Sequence, residues 1–261
     1  MTGVREPLLS ISDLCVDYIT DDGNARAVNK VNLDIYPGET VGLAGESGCG
    51  KTTVGRTILR LEEPTEGSMI YKGQDIVKMN AEELREFRKE VQIIFQDPFS
   101  SLNPKMTIKN ILEDIFFIQK ISDKRKIEKE IKFMFRNLSL PFKSEFLNSY
   151  PSQLSGGQLQ RISLAKALLL KPKILICDES VNMLDASVKI EILELLRVFQ
   201  EKMNLTIIFI THDLGIAKRF CDRLLVMNQG KIVDEGESST IFTKTQNTYT
   251  KSLLNSSLNL I

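Results

Sequence analysis

A lysine and a threonine closing a glycine-spaced run are residue types that suit phosphate. In Gly45-Glu46-Ser47-Gly48-Cys49-Gly50-Lys51-Thr52 the glycines let backbone N–H groups turn inward. The helix expected to follow adds a favourable dipole end, Lys51 supplies a point charge, and the Thr52 hydroxyl suits Mg²⁺. The ligand implied is a nucleotide phosphate. A carboxylate pair, Asp178-Glu179, directly follows the apolar run Ile174–Cys177. A buried strand there delivers both carboxylates to its C-terminal end, where ligands bind in open α/β sheets. Asp178 is placed to hold Mg²⁺, directly or through water, and Glu179 to face an attacking water. In a third cluster, Leu154-Ser155-Gly156-Gly157-Gln158, Ser155 stands as an N-cap and two glycines leave backbone donors exposed, which reads as a second anion site.

Positioning these groups requires strands and helices in alternation, and the chain supplies them. Short apolar runs over 8–18, 28–35, 40–44, 67–71 and 91–95 are broken by turns at Asp21-Asp22-Gly23 and Tyr36-Pro37-Gly38-Glu39, and they read as strands of a mixed sheet. From Thr107 to about Leu138 the spacing becomes helical, with Ile108, Ile111, Leu112 and Ile115 on one face and Ile127, Ile131, Met134 and Phe135 on another. That is a helical insert. Beyond Pro151 the spacing predicts a helix over 158–170, strands over 174–177, 205–210, 223–227 and 231–233, and a core-packed helix over 188–203. Two weak helical turns and a polar tail are expected after Gly236. The expected organisation is therefore a nucleotide-binding core over 1–96 and 158–240, a helical subdomain over 97–157, and a short tail over 241–261.

Composition narrows the class. The 261 residues are 42% hydrophobic, enough for one large core, and Lys+Arg equals Asp+Glu at 34 each. No overall field favours nucleic acid. The Lys/Arg/Glu-rich stretch 120–132 reads as a solvated helix face. Cys15, Cys49, Cys177 and Cys221 are scattered and joined only by His212, a pattern that opposes a zinc cluster and fits reduced thiols. No run reaches membrane-span length and no signal-peptide core follows Met1, so any membrane role is expected to be peripheral.

With the phosphate loop, Leu154–Gln158 and Asp178-Glu179 in this order, the chain resembles the ATP-binding subunits of ABC transporters over nearly its whole length. The resemblance implies a P-loop NTPase core of α/β class with an inserted helical subdomain. It also implies ATP held by Tyr18, Gly45, Ser47, Gly48, Cys49, Gly50, Lys51, Thr52 and Thr53, with Tyr18 stacked on adenine. Mg²⁺ is then held at Thr52, Gln96 and Asp178, and hydrolysis is carried by Glu179, His212 and Gln96. Ser155, Gly156, Gly157 and Gln158 are implied to cover the ATP of a second cassette packed head to tail. One departure stands out: Ser180-Val181-Asn182-Met183-Leu184 replaces the family's usual Pro-Thr-Ser-Ala-Leu after Glu179, which affects the subunit contact more than the chemistry.

The segment Asp97-Pro98-Phe99-Ser100-Ser101-Leu102-Asn103-Pro104 resembles the dipeptide, oligopeptide and nickel importer branch. Residues 246–254 resemble that branch's tail, with Asn247-Thr248 in place of its usual His-Pro. The short tail pulls toward nickel or metal-chelate members, while the central segment fits peptide members equally. The branch implies a partner ATPase, typically a paralogue, two transmembrane permease subunits and an extracytoplasmic substrate-binding protein, with this chain on the cytoplasmic face of the membrane. Non-transport ABC ATPases generally carry a long coiled-coil insert or two fused cassettes, and neither is present here.

Overall fold

Buried β-branched and aliphatic strands set the frame of the molecule. The computed structural model describes residues 6–20, 23–181 and 184–258. Asp21 and Asp22 of the expected first turn, and Asn182 and Met183 of the unusual segment, lie outside the described residues.

The chain begins with β1 (Leu9–Thr20), β2 (Gly23–Ile35), β3 (Thr40–Ala44), α1 (Lys51–Ile58), β4 (Glu66–Tyr71), β5 (Gln74–Asp75), α2 (Ala81–Glu90) and β6 (Val91–Ile94). Four of these strands form their own antiparallel sheet in the order β2-β1-β4-β5. Its buried face (Leu9, Ile11, Val16, Val28, Val31, Met69) packs with Val41 and Leu43 of β3 and Val54 and Ile58 of α1 into one apolar cluster. Helix α2 was not expected from apolar spacing, because its exposed positions dominate. Its local signal is a capping box: Asn80 Oδ1 accepts from the N–H groups of Glu82 and Glu83 at 2.9 and 3.0 Å, and Glu83 accepts from Asn80 N–H at 2.8 Å.

Next come α3 (Ile108–Ile118), α4 (Lys124–Asn137), α5 (Ser144–Leu147) and α6 (Gly156–Leu169). Thr107 caps α3 and Asp123 caps α4 through their side-chain oxygens. Ile108, Ile111, Leu112 and Ile115 of α3 meet Ile131, Met134 and Phe135 of α4 in the same cluster as Leu159 and Ile162 of α6. The Phe135 ring stands edge-on to Phe142 and Phe146, each 5.9 Å away. Basic residues of α4, including Lys124, Arg125, Lys129 and Arg136, are exposed. Because α6 is apolar nearly all round, it is buried between these helices and the main sheet.

The remaining elements are β7 (Ile174–Asp178), α7 (Ala186–Met203), β8 (Thr206–Thr211), α8 (Leu214–Phe220), β9 (Arg223–Asn228), β10 (Lys231–Glu237), α9 (Ser238–Lys244) and α10 (Thr248–Leu258). They complete a mixed sheet ordered β10-β9-β3-β8-β7-β6. β9, β3, β8, β7 and β6 run parallel, and β10 is antiparallel to β9. Every residue of β3, β7 and β8 is buried, as strands covered on both faces must be. The tail exceeds the weak turns expected of it. Asn247 accepts from Thr250 N–H at 3.0 Å as an N-cap, and Leu254 buries the helix against the core. Among the described residues, no helix is long and apolar enough to cross a membrane.

Candidate active site

Register in the parallel sheet decides which side chains meet. Ala44 lies opposite Thr211, Asp178 opposite Ile210, and Ile94 opposite Cys177. The strands therefore end level, and the residues just beyond them (Gly45, Gln96, Glu179 and His212) emerge along one edge of the sheet. That edge is where open α/β sheets bind ligands.

The loop leaving β3 is shaped by close backbone approach. A Cβ on Gly45, at φ +153°, would lie 2.2 Å from the Met227 carbonyl oxygen, and one on Gly50, at φ +106°, would lie 2.4 Å from that of Ala27. Only glycine fits at either place. Lys51 is 4% exposed, and its Nζ donates to the carbonyls of Gly45 at 2.9 Å and Glu46 at 2.6 Å, with the Cys49 thiol 3.6 Å away. Its charge thus sits at the centre of the loop, with Cys49 buried behind it.

Thr52 Oγ1 donates to Asp178 Oδ1 at 2.9 Å, joining the first turn of α1 to the end of β7. Burial raises the Asp178 carboxyl above its ordinary value. The Thr52 hydrogen bond opposes that rise, Glu179 adds to it, and Arg56 and Lys51 pull back. Glu179 has a left-handed backbone, φ +49°, and donates its N–H to Ile210 O at 3.0 Å. A non-glycine residue held there is under strain of order 1–2 kcal/mol. The turn aims the side chain at His212, whose Nδ1 lies 3.2 Å from Glu179 Oε1.

A cleft of about 340 Å³ gathers most of the expected residues. Ser47, Gly48, Gly50, Lys51, Thr52 and Thr53 form its floor, and Tyr18, Gln96 and Glu179 stand around it. Tyr18 Oη donates to Thr53 Oγ1 at 3.4 Å, which holds the ring beside the start of α1. Gly45 and Cys49 shape the loop from behind, and Asp178 and His212 join through Thr52 and Glu179. Ala27 also lines the cleft. No local pattern could have found it, since a cross-sheet approach to Gly50 brings it there.

Ser155, Gly156, Gly157 and Gln158 are not brought to this cleft. They open α6 in a closed box: Gln158 N–H donates to Ser155 Oγ at 3.3 Å, and Ser155 N–H donates to Gln158 Oε1 at 3.0 Å. A Cβ on Gly156 would meet nothing within 4 Å, whereas one on Gly157 would approach Val188 at 3.2 Å. In the unusual segment, Ser180 and Val181 are buried.

Comparison with known proteins agrees with this geometry. A family model described as "ABC transporter" matches residues 28–182, more than half of the chain. That span holds the phosphate loop, Gln96, Leu154–Gln158 and Asp178-Glu179. The oligopeptide transport ATP-binding protein OppF of Lactococcus lactis is 43% identical over 255 residues, covering 95% of this chain and 79% of that protein. OppF of Salmonella typhimurium is 40% identical over 261 residues, covering 96% and 77%. Among solved structures, the ATP-binding cassette MJ0796, a dimer bound to ADP and Pi, superposes with a TM-score of 0.79 at 28% identity, covering 88% of this chain and 98% of that one. Phosphate loop, paired carboxylates, sheet order and whole-chain similarity agree, and the chain belongs to the ABC transporter family as one of its ATP-binding cassettes.

Proposed function

We propose that this chain is the ATP-hydrolysing subunit of a binding-protein-dependent importer of dipeptides or oligopeptides. The ATPase reading rests on one observation above all: a single cleft joins Lys51, the Thr52–Asp178 pair and the Glu179–His212 pair. The peptide reading is supported by relatives whose names describe oligopeptide transport at 40–43% identity.

Hydrolysis converts ATP and water to ADP and phosphate, and its barrier is lowered chiefly by positioning and charge neutralisation. Tyr18 stacks on the base, and the loop amides with Ser47, Gly48, Cys49, Gly50, Lys51 and Thr53 hold the phosphates. Glu179 takes a proton from the attacking water, and His212 steadies both Glu179 and the terminal phosphate. Hard oxygen donors 2.9 Å apart on Thr52 and Asp178, with Gln96 beside the cleft, fit Mg²⁺. When bound, Mg²⁺ supplies charge neutralisation on the phosphate oxygens. The raised Asp178 carboxyl is consistent with a buried acid that gains by meeting a cation.

None of Ser155–Gln158 lines the cleft, and we read them as a separate anion-binding turn. This supports a head-to-tail arrangement in which a second ATPase subunit, a paralogue, contributes that turn to the ATP of this one. Residues 97–157 act as the helical subdomain between the core segments 1–96 and 158–240. Phe95, one residue before Gln96, lines a groove of about 350 Å³ together with Leu61, Arg88, Ser101 and Lys166. The groove supports docking of a transmembrane permease subunit, one of two in the assembly, on the cytoplasmic face of the membrane, served outside by a substrate-binding protein.

The test is uptake in the source cell after deletion of this gene, with labelled oligopeptide and labelled nickel side by side. Loss of peptide uptake, restored by wild type and not by Glu179→Gln, is expected. Intact peptide uptake with lost nickel uptake would overturn the cargo assignment.

A further inference from the structure

The tail helix touches the phosphate loop. Glu46 N–H donates to Tyr249 Oη at 3.4 Å, across 203 residues of sequence. The Glu46 carbonyl accepts from Lys51 Nζ at 2.6 Å, so the same peptide unit region is held by the tail on its amide side and by the loop lysine on its carbonyl side. Tyr249 is itself well anchored. Tyr249 and Leu253 pack on the main core, Leu254 is buried, and Thr250 is 1% exposed. Just ahead of it, Asn247 ties the helix start to the sheet: its Nδ2 donates to Val233 O at 2.8 Å while its Oδ1 caps Thr250 N–H at 3.0 Å. Helix α10 also packs on α8, which begins two residues after His212.

We infer that Tyr249 is a positioning residue for the phosphate loop, so that docking of α10 and binding of ATP favour each other. The inference rests on the ATP reading of the cleft given above. Lys51 has three ammonium hydrogens, two on the carbonyls of Gly45 and Glu46 and the third facing the Cys49 thiol, so any phosphate contact beyond the first draws on one of the carbonyls. Tyr249 then remains as the side-chain contact that fixes Glu46 from outside the loop. A loop fixed before the ligand arrives binds it more tightly than one ordered on arrival. Coupling of this kind is reciprocal, so ATP must hold the tail down by the same factor that the tail tightens ATP. Asn247 in place of the branch's usual histidine belongs to the same device, since its amide makes both the cap and the tie to β10.

The test uses the purified full chain. ATP affinity is measured calorimetrically for wild type, Tyr249→Phe and Asn247→Ala, and amide exchange across α10 is followed with and without ATP. Tyr249→Phe is expected to weaken ATP about threefold, the scale of one neutral hydrogen bond, while the unfolding temperature of the nucleotide-free chain stays near that of wild type. Asn247→Ala weakens ATP in the same direction by loosening the helix start. ATP slows α10 exchange in wild type by a similar factor, and less in Tyr249→Phe. In the assembled complex, KM for ATP rises and kcat holds. Equal ATP affinity of wild type and Tyr249→Phe, or α10 exchange indifferent to ATP in wild type, overturns the inference alone. The wild-type exchange result decides even if a variant fails to fold. A wild type that binds no ATP overturns the proposed function as well.

Discussion

The sheet edge and the start of α6 are built in opposite ways. At the edge, Lys51, Gln96, Glu179 and His212 converge because the parallel strands β3, β8, β7 and β6 end level, and Tyr18 reaches the same cleft from the antiparallel sheet. At α6, four consecutive residues make the whole feature, and the Ser155–Gln158 box closes on itself. The first is a product of long-range register, the second of one local cap. In the proposed head-to-tail arrangement, the self-contained turn of one chain would complete the cleft of the other. Substitutions at the two regions should therefore separate ATP binding by the single chain from turnover by the proposed assembly.

Glu179→Gln probes the edge most severely. Glutamine keeps the shape and the hydrogen bond to His212 but cannot take a proton. Phosphate release by the assembled complex is expected to fall about 1,000-fold, within the range for loss of a general base, while calorimetric ATP affinity holds within about twofold. Unchanged turnover would remove Glu179 from the chemistry and leave the edge a binding site only.

A matched pair of glycine substitutions sharpens the contrast. At Gly45 a methyl group meets the Met227 carbonyl oxygen at 2.2 Å on a left-handed backbone, whereas at Gly156 it meets nothing within 4 Å. Gly45→Ala should cost roughly 3 kcal/mol in denaturant unfolding and lose ATP binding with it. Gly156→Ala should leave stability level or slightly higher, as alanine favours a helix start over glycine. Equal destabilisation by both would mean that the start of α6 is as tightly enclosed as the loop.

These two regions also mark how far the amino-acid sequence could be read. Short patterns carried much of it: the glycine spacing, Asp178-Glu179 after an apolar run, and the helical faces of α3 and α4. The split of β1, β2, β4 and β5 into their own sheet was not legible, because partner choice between strands depends on contacts far along the chain. Helix α2 had a signal in Asn80 and Glu83 that apolar spacing overlooks. The hold of Tyr249 on Glu46, and the place of Ala27 beside Gly50, had none, since each is a meeting of distant segments.

The cysteines give a smaller effect on the edge itself. Cys49 sits in the loop with its Sγ 3.6 Å from Lys51 Nζ, while Cys177 lies in a central strand where burial pushes its thiol up to about 12. Loop opening exposes Cys49, but Cys177 needs the sheet to come apart. A bulky maleimide should therefore label Cys49 first, as read by peptide mapping, with ATP slowing that rate about tenfold. Equal rates with and without ATP would detach the loop from nucleotide binding.

The mildest substitution is the one that tests the comparison from the α6 side. Ser155→Ala removes the oxygen that accepts from Gln158 N–H and should lower stability by about 1 kcal/mol, the usual value of such a cap. The chain alone should bind ATP as wild type does, because none of the residues lining the cleft comes from α6. Turnover by the assembly should fall about fivefold, since a frayed helix start presents its backbone donors less firmly to an anion. Calorimetry on the single chain and phosphate release by the complex read the two effects separately. A matching loss of ATP affinity in the single chain would mean that α6 reaches the nucleotide within one molecule. The cleft would then need no second chain to complete it.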